Sequence, residues 1–235
     1  MRQALPRLKG ITVKKKNPDY IHLYFLMRDI KYAIDKYAKK DFLDLGCGNK
    51  PYKDWYQLLT NSSTGCDAVQ SCENVVDTIC LASSLPYANE SFDTVFSTQV
   101  LEHVFEQQQM INEAYRVLKS NGTVILTVPF TWELHEEPYD FFRVTKHGLK
   151  EMFEKAGFEI EYIKANGGKW AAMFQMMINM IYSTFKFKTF KSKLLKIFFL
   201  ELKLTWLINQ LAIWIDKKYF DDSWTLNYIV VATKK

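Results

Sequence analysis

Residues 42–52 read FLDLGCGNKPY: two apolar residues and the acid Asp44, then Gly46, Cys47 and Gly48, and finally Pro51 where a further glycine would complete a longer motif. Glycine takes backbone angles closed to other residues, and its missing side chain lets a ligand lie against the main chain. A short apolar strand running into such a loop marks a ligand cradle. A dinucleotide cradle has the form G-x-G-x-x-G, whose third glycine brings a helix close enough to seat a pyrophosphate. With Pro51 in that place, a ligand without phosphates fits better. Downstream, Glu102-His103 in VLEHV and His135 in FTWELHEEPYDFFR supply imidazoles, whose ordinary pKa suits proton transfer near neutrality. These histidines and the carboxylates stand at no compact metal-ligand spacing, so no bound metal is expected. The four cysteines, Cys47, Cys66, Cys72 and Cys80, form no CxxC pair and are expected to be reduced thiols of a cytoplasmic protein.

The elements that must position these residues are legible from hydrophobic periodicity. Asn17-Pro18 opens a helix whose apolar residues recur at helical spacing through Tyr20, Leu23, Tyr24, Met27, Ile30, Ile34 and Tyr37. FLDL (42–45), STGCD (63–67), NVVD (74–77), FDTVFST (92–98), TVILTVP (123–129), EIEYIKA (159–165) and the closing TLNYIVVATKK are the expected strands. Helices are expected over 106–122, closed by Asn121-Gly122, and over 146–158, closed by a further glycine. Strands alternating with helices imply an α/β fold, a doubly wound parallel sheet with helices on both faces. In such sheets ligands bind beyond the carboxyl ends of the strands, which makes the loop after the first strand the default site.

FLDLGCGNKPY, TGCD, LPYANESFDTVFSTQVLEHV, RVLKSNGTVILTVP and GLKEMFEKAGFEI, in that order across about residues 40–165, resemble the successive motifs of class I S-adenosylmethionine-dependent methyltransferases. The resemblance implies a Rossmann-like seven-stranded, mostly parallel sheet and S-adenosyl-L-methionine as cofactor. It assigns Asp44, Gly46, Cys47 and Gly48 to the methionine part of the cofactor, where a carboxylate suits the ammonium and sulfonium charges. Asp44 has a plainer role as well, fixing the glycine loop through backbone amides. Asp67 matches the acid that binds the ribose hydroxyls. Many relatives place an Asp where Leu81 stands, so adenine recognition is expected to rest on backbone groups and on Leu81 or Leu85. His103 and His135 become the candidate proton acceptors, the plainer role of His103 being a structural hydrogen bond. Tyr139, Asp140 and Arg143 become candidate substrate contacts, with an internal Asp–Arg lock as the alternative for the last two. HEEPYDFFRVT further resembles enzymes of bacterial surface-polysaccharide and glycan biosynthesis.

The implied reaction is in-line methyl transfer to a hydroxyl of a glycan or small metabolite. The alternatives are a noncatalytic binding protein on the same fold, or transfer to nitrogen or carbon of a lipid-like acceptor. STQVLEHV after the fourth strand is not the (N/D)PP(Y/F) tetrapeptide of amino-methylating nucleic-acid enzymes, and no Pro-Cys pair is present, so no nucleic-acid partner is expected. The net charge of +5 is uneven, since residues 169–220 hold nine lysines against Glu201 and Asp216. That stretch reads as a helical insert before the last strand, between the parts 17–168 and 221–235 of the catalytic domain. Its longest uncharged run, Trp170–Phe185, is shorter than the roughly 20 apolar residues that span a bilayer. Expectations for it are a cap over the pocket, a homodimer face, or a helix lying on an anionic inner-membrane surface. The basic segment 1–16, without a continuous apolar core, is expected to be a solvated arm and not a signal peptide.

Overall fold

The computed structural model describes residues 12–185 and 203–235. The basic residues 1–11 and the lysine-interleaved stretch 186–202 lie outside the described residues. Element order is α1 (Tyr20–Tyr37), β1 (Asp41–Leu45), α2 (Lys53–Tyr56), β2 (Ser62–Asp67), β3 (Thr78–Ile79), β4 (Phe92–Thr98), a 3₁₀ turn (Leu101–His103), α3 (Gln107–Val117), β5 (Leu118–Pro129), α4 (Lys146–Lys155), β6 (Phe158–Asn166), α5 (Lys169–Phe185), α6 (Leu204–Lys218) and β7 (Asn227–Lys234). Two compact units divide these elements, one from Asp29–Lys164 with Tyr228–Lys235, the other from Thr12–Arg28 with the described part of Ala165–Asn227.

The first unit carries a seven-stranded, mostly parallel sheet of order β3-β2-β1-β4-β5-β7-β6. β1 pairs in parallel with β2 on one side and β4 on the other, with Asp44 opposite Gly65 and Phe96. Chain order reverses outward from β1 and β4, which opens a crevice at their carboxyl ends. Phe42, Leu43, Leu45, Val95, Phe96 and Ile125 are fully buried although they alternate in direction, so both faces of the sheet are covered. Phe42 stacks on Tyr56 at 4.3 Å between ring centroids and meets Phe96 at 5.7 Å, which ties β1 to α2 and β4.

Three boundaries differ from the sequence expectation. The helix expected over 106–122 ends at Val117, and β5 begins at once with Leu118, which is fully buried and opposite Phe92. Asn121-Gly122 therefore sits inside the strand, at a register shift between Phe92 and Thr94, with Asn121 taking the left-handed φ of 61°. Lys119 fixes this start by donating to Asp41 at 2.7 Å and Asp93 at 2.8 Å. The third strand lies at Thr78–Ile79 instead of 74–77, because Asp77 accepts from the Gly65 amide and the Lys50 ammonium, both at 2.6 Å, and turns the chain just before it pairs with β2. The helix expected to reach residue 158 stops at Lys155, followed by Gly157 at φ 98°. Its start is capped by Thr145, whose hydroxyl accepts from the Gly148 amide at 3.1 Å.

In the second unit, buried Asp216 on α6 accepts from the amides of Gly168 and Ala171 at 3.0–3.1 Å, which satisfies the otherwise unpaired N-terminus of α5. Gln175 accepts from the His22 amide at 3.0 Å and donates to the Pro18 carbonyl at 2.8 Å. Among the described residues no helix is long and apolar enough to cross a membrane.

Phe42 is the aromatic centre of the first unit, so Phe42→Ala is expected to lower its unfolding free energy by about 3–5 kcal/mol, the usual cost of removing a buried aromatic ring. Chemical denaturation followed by circular dichroism measures this, and a loss under about 1 kcal/mol would contradict the packing described.

Candidate active site

The loop after β1 is folded onto the ends of two other strands. Gly46 and Cys47 both donate to the Cys66 carbonyl, at 2.8 and 3.0 Å. Gly46 has φ 77° and Gly48 φ 50°, and a Cβ on Gly46 would stand 2.2 Å from Cγ2 of Val100. Both the backbone angle and the space at this position require glycine. No third glycine is needed, because the chain leaves the loop through a turn at Pro51 and the single-turn helix α2, with no long helix pressed against the strand.

Asp44 is buried at the end of β1 and accepts from the Tyr56 hydroxyl at 3.1 Å. Burial pushes its carboxyl up to about 7, against the lowering effect of Tyr56 and Lys50. The loop-fixing carboxylate expected at Asp44 is instead Asp67, whose Oδ2 accepts from the Gly48 amide at 3.1 Å and Oδ1 from Val69 at 3.3 Å. The Cys80 amide donates to the Asp67 carbonyl at 2.9 Å, which sets Leu81, 60% exposed, just beyond the end of β2. Leu85 differs: it is buried, and its amide donates to Glu113 at 2.7 Å. Of the two leucines, Leu81 alone presents an open apolar face. Cys47 is buried and its thiol is pushed up by burial and by Asp44, so it stays protonated.

The second half of the site lies beyond β4. Gln99 takes the left-handed φ of 55°, Val100 leans on Gly46, and the 3₁₀ turn then buries Glu102 and His103. The Phe141 amide donates to the Glu102 carbonyl at 2.9 Å, which seats the loop after β5 on this turn. That loop carries His135 to His103, their rings edge to face at 4.9 Å. Nδ1 of His103 faces the Tyr139 carbonyl at 2.9 Å, and burial holds its pKa below the ordinary imidazole value. Nδ1 of His135 faces the Glu133 carbonyl at 3.1 Å and Asp140 at 3.3 Å.

Asp140 and Arg143 form the internal lock, with two bonds at 2.5 and 2.7 Å, and Asp140 accepts in addition from the His135 amide at 3.0 Å. Burial alone would raise the Asp140 carboxyl, but Arg143 and the His135 amide outweigh it and hold it at about 2. The lock therefore engages side chains that were candidates for substrate contact. It shapes the loop that presents Tyr139 and His135.

Glu102 was not singled out by the sequence reading. It is 1% exposed, neither carboxylate oxygen has a hydrogen-bond partner among the described residues, and desolvation pushes it up to about 8. Its Oε1 lies 3.8 Å from Nε2 of His103 and 3.9 Å from Nε2 of His135. The sequence argument against a metal rested on spacing along the chain, and folding overturns that premise by gathering three potential ligand groups, one carboxylate and two imidazoles, at one point. The only sequence trace of this is an acid beside a histidine just after a predicted strand.

Residues 43–126 match the model of a methyltransferase domain family. A probable S-adenosylmethionine-dependent methyltransferase of Mycolicibacterium smegmatis is 32% identical over 176 residues, which is 67% of this chain and 68% of that protein. The crystal structure of the [4+2]-cyclase SpnF shares the fold with a TM-score of 0.61 at 18% identity, covering 98% of this chain and 88% of that one. Phosphoethanolamine N-methyltransferase 2 of Haemonchus contortus, in complex with S-adenosyl-L-methionine, has a TM-score of 0.51 at 16% identity, over 95% of this chain and 60% of that one.

The loop geometry suits this cofactor. Gly46 leaves the space that a side chain would fill, Asp44 is a buried acid that a cation would stabilise in its ionised form, and Asp67 stands at the next strand end. Because the Asp44 carboxyl titrates at about 7 without a cation beside it, cofactor affinity is expected to tighten about fivefold between about pH 6 and about pH 7, as the ionised fraction rises. Calorimetric titration measures this, and Asp44→Asn should flatten the dependence and weaken binding at the higher pH. An equally steep profile in Asp44→Asn would remove Asp44 from the role.

Proposed function

The chain belongs to the class I S-adenosylmethionine-dependent methyltransferases, and on that premise we propose that it methylates oxygen, at the hydroxyl of a glycan or another small metabolite, through the histidine cluster beyond β4. The observation that carries this reading is the His103–His135 pair at 4.9 Å, three residues from the Val100 that packs on the cofactor loop. Bound S-adenosyl-L-methionine supplies a methyl group that is already strongly electrophilic.

What remains for the protein is alignment, and removal of the hydroxyl proton as the carbon–oxygen bond forms. His135 is the more exposed imidazole, its side chain 30% accessible. Its Nδ1 faces two acceptors, Asp140 and the Glu133 carbonyl, which keeps the ring proton on Nδ1 and leaves Nε2 basic. The depressed pKa of His103 keeps that ring neutral near pH 7, so it does not repel a second positive charge when His135 takes a proton. Exposed Phe105 meets Phe141 edge to face at 5.6 Å beside this cluster, and with Tyr139 it offers flat apolar surface of the kind that binds a sugar face.

His135→Ala is expected to lower kcat by ~10²–10⁴-fold, the usual contribution of a positioned base, with cofactor affinity unchanged. The assay is labelled-methyl transfer over sugar nucleotides, lipid-linked sugars and quinone-like compounds. No transfer to any acceptor, with cofactor binding intact, would favour a noncatalytic binding protein. Transfer only to carbon or nitrogen of the lipid-like compounds would move the assignment off oxygen.

A specific feature of the second unit supports contact with a membrane surface. Leu207, Leu211 and Trp214 form an exposed stripe on α6, and the Lys218 ammonium lies 5.2 Å from the Trp214 ring. Apolar residues on one helix face bordered by lysines suit an anionic lipid surface. The full chain is expected to float with anionic vesicles, and Leu207→Glu with Trp214→Glu to abolish this. A wild-type protein that stays in the aqueous fraction refutes the contact.

A further inference from the structure

We infer that Glu102, His103 and His135 form a binding site for a divalent transition cation of the zinc and manganese class. A carboxylate oxygen of Glu102 and one ring nitrogen of each histidine all lie within 4.8 Å of one another. The carboxylate-to-imidazole distances, 3.8 and 3.9 Å, are too long for hydrogen bonds and leave room for an ion between the groups. They surround a point from which each ligand atom would sit at about 2.0–2.2 Å after a shift of a few tenths of an ångström.

Two further observations point to an occupant. Glu102 is almost completely buried, and among the described residues neither of its oxygens has a hydrogen-bond donor. A buried carboxylate without partners is strongly unfavourable, and a cation is what relieves it. The imidazoles are also held from behind as metal-bound imidazoles are. Nδ1 of His103 faces the Tyr139 carbonyl at 2.9 Å, and Nδ1 of His135 faces Asp140 and the Glu133 carbonyl, so both Nε2 atoms are directed to the carboxylate. Two imidazoles beside one carboxylate, without a thiolate, favour a divalent transition cation over magnesium or calcium, and they leave coordination positions open.

This inference rests on the proposed acceptor site and deepens it. In the loaded protein Nε2 of His135 is a ligand and no longer the base. An acceptor hydroxyl bound at an open position has its pKa lowered by the cation. Its O–H bond breaks and the proton passes to solvent water. The alkoxide then forms the O–CH₃ bond while the CH₃–S bond of the sulfonium breaks, leaving a neutral thioether. Asp140 is a positioning residue, acting through His135.

The test is calorimetric titration of the untagged, metal-stripped full chain with Zn²⁺ and with Mn²⁺ alone, in the absence of any methyl acceptor. One equivalent is expected to bind with low-micromolar affinity or better and to raise the melting temperature. Glu102→Gln and His135→Ala should each abolish stoichiometric binding, and Asp140→Asn should weaken it by about 10–100-fold. Co²⁺ bound in the same place should show visible d–d bands without thiolate charge-transfer absorption, which separates this site from the cysteines. Failure of both cations to bind the folded wild-type protein, or undiminished binding in Glu102→Gln and His135→Ala, overturns the metal site and leaves His135 as base. Stoichiometric binding in a protein that methylates no hydroxyl would uphold the metal site and refute the oxygen-acceptor reading.

Discussion

The contact between Gly46 and Val100 holds the head of the sheet together. It brings the loop after β1 so close to the chain leaving β4 that a single added Cβ would stand 2.2 Å from a valine methyl. The candidate site residues lie on the two sides of this contact. On one side the loop hangs from the Cys66 carbonyl with Asp44 and Asp67 at the adjoining strand ends. On the other, two residues past Val100, the 3₁₀ turn buries Glu102 and His103. Neighbouring parallel strands set these side chains apart by the spacing of the sheet, and the close packing of the loop removes the slack.

Electrostatics divides the site in the same way. Asp44 and Glu102 are both buried acids raised by desolvation, to about 7 and about 8, without a lysine or arginine in direct hydrogen bond. Asp140, on the same side as Glu102, is the opposite case, ionised down to about 2 through Arg143. Buried acids raised toward neutral pH by desolvation cluster at functional sites, where a positively charged ligand would favour their ionised form. The cofactor of this family carries a sulfonium and an ammonium, charges of the kind that would favour the ionised form of Asp44. Glu102 lies instead beside the imidazoles of His103 and His135.

The loop between β5 and α4 shows how a segment without regular structure is made specific. The Asp140–Arg143 lock fixes its curvature, the Phe141 amide fastens it to the Glu102 carbonyl, and the Asp140 carboxylate also holds the His135 amide. The aromatic residues Phe105, Phe141 and Phe142 cover its outer side. Loops positioned in this way by a rigid sheet are where catalytic and binding groups concentrate.

Local patterns in the chain settled most of the architecture. FDTVFST forms the strand expected over 92–98, and the acid-and-glycine loop follows β1 where the spacing puts it, because these features depend mainly on neighbouring residues. Boundaries were lost where tertiary pairing overrode local signals: Asn121-Gly122 reads as a helix stop, yet buried Leu118 and the Lys119 bridges to Asp41 and Asp93 draw the segment into β5. The order of Asp44 and Asp67 along the chain was legible, but that Asp67 rather than Asp44 meets the Gly48 amide was not, since it depends on how the loop folds back onto β2. The junction of Glu102 and His103 with His135 lay beyond sequence reasoning altogether. More than thirty residues and a whole strand separate them, and only the folding of the loop after β5 onto the turn after β4 decides that their ligand atoms share one point.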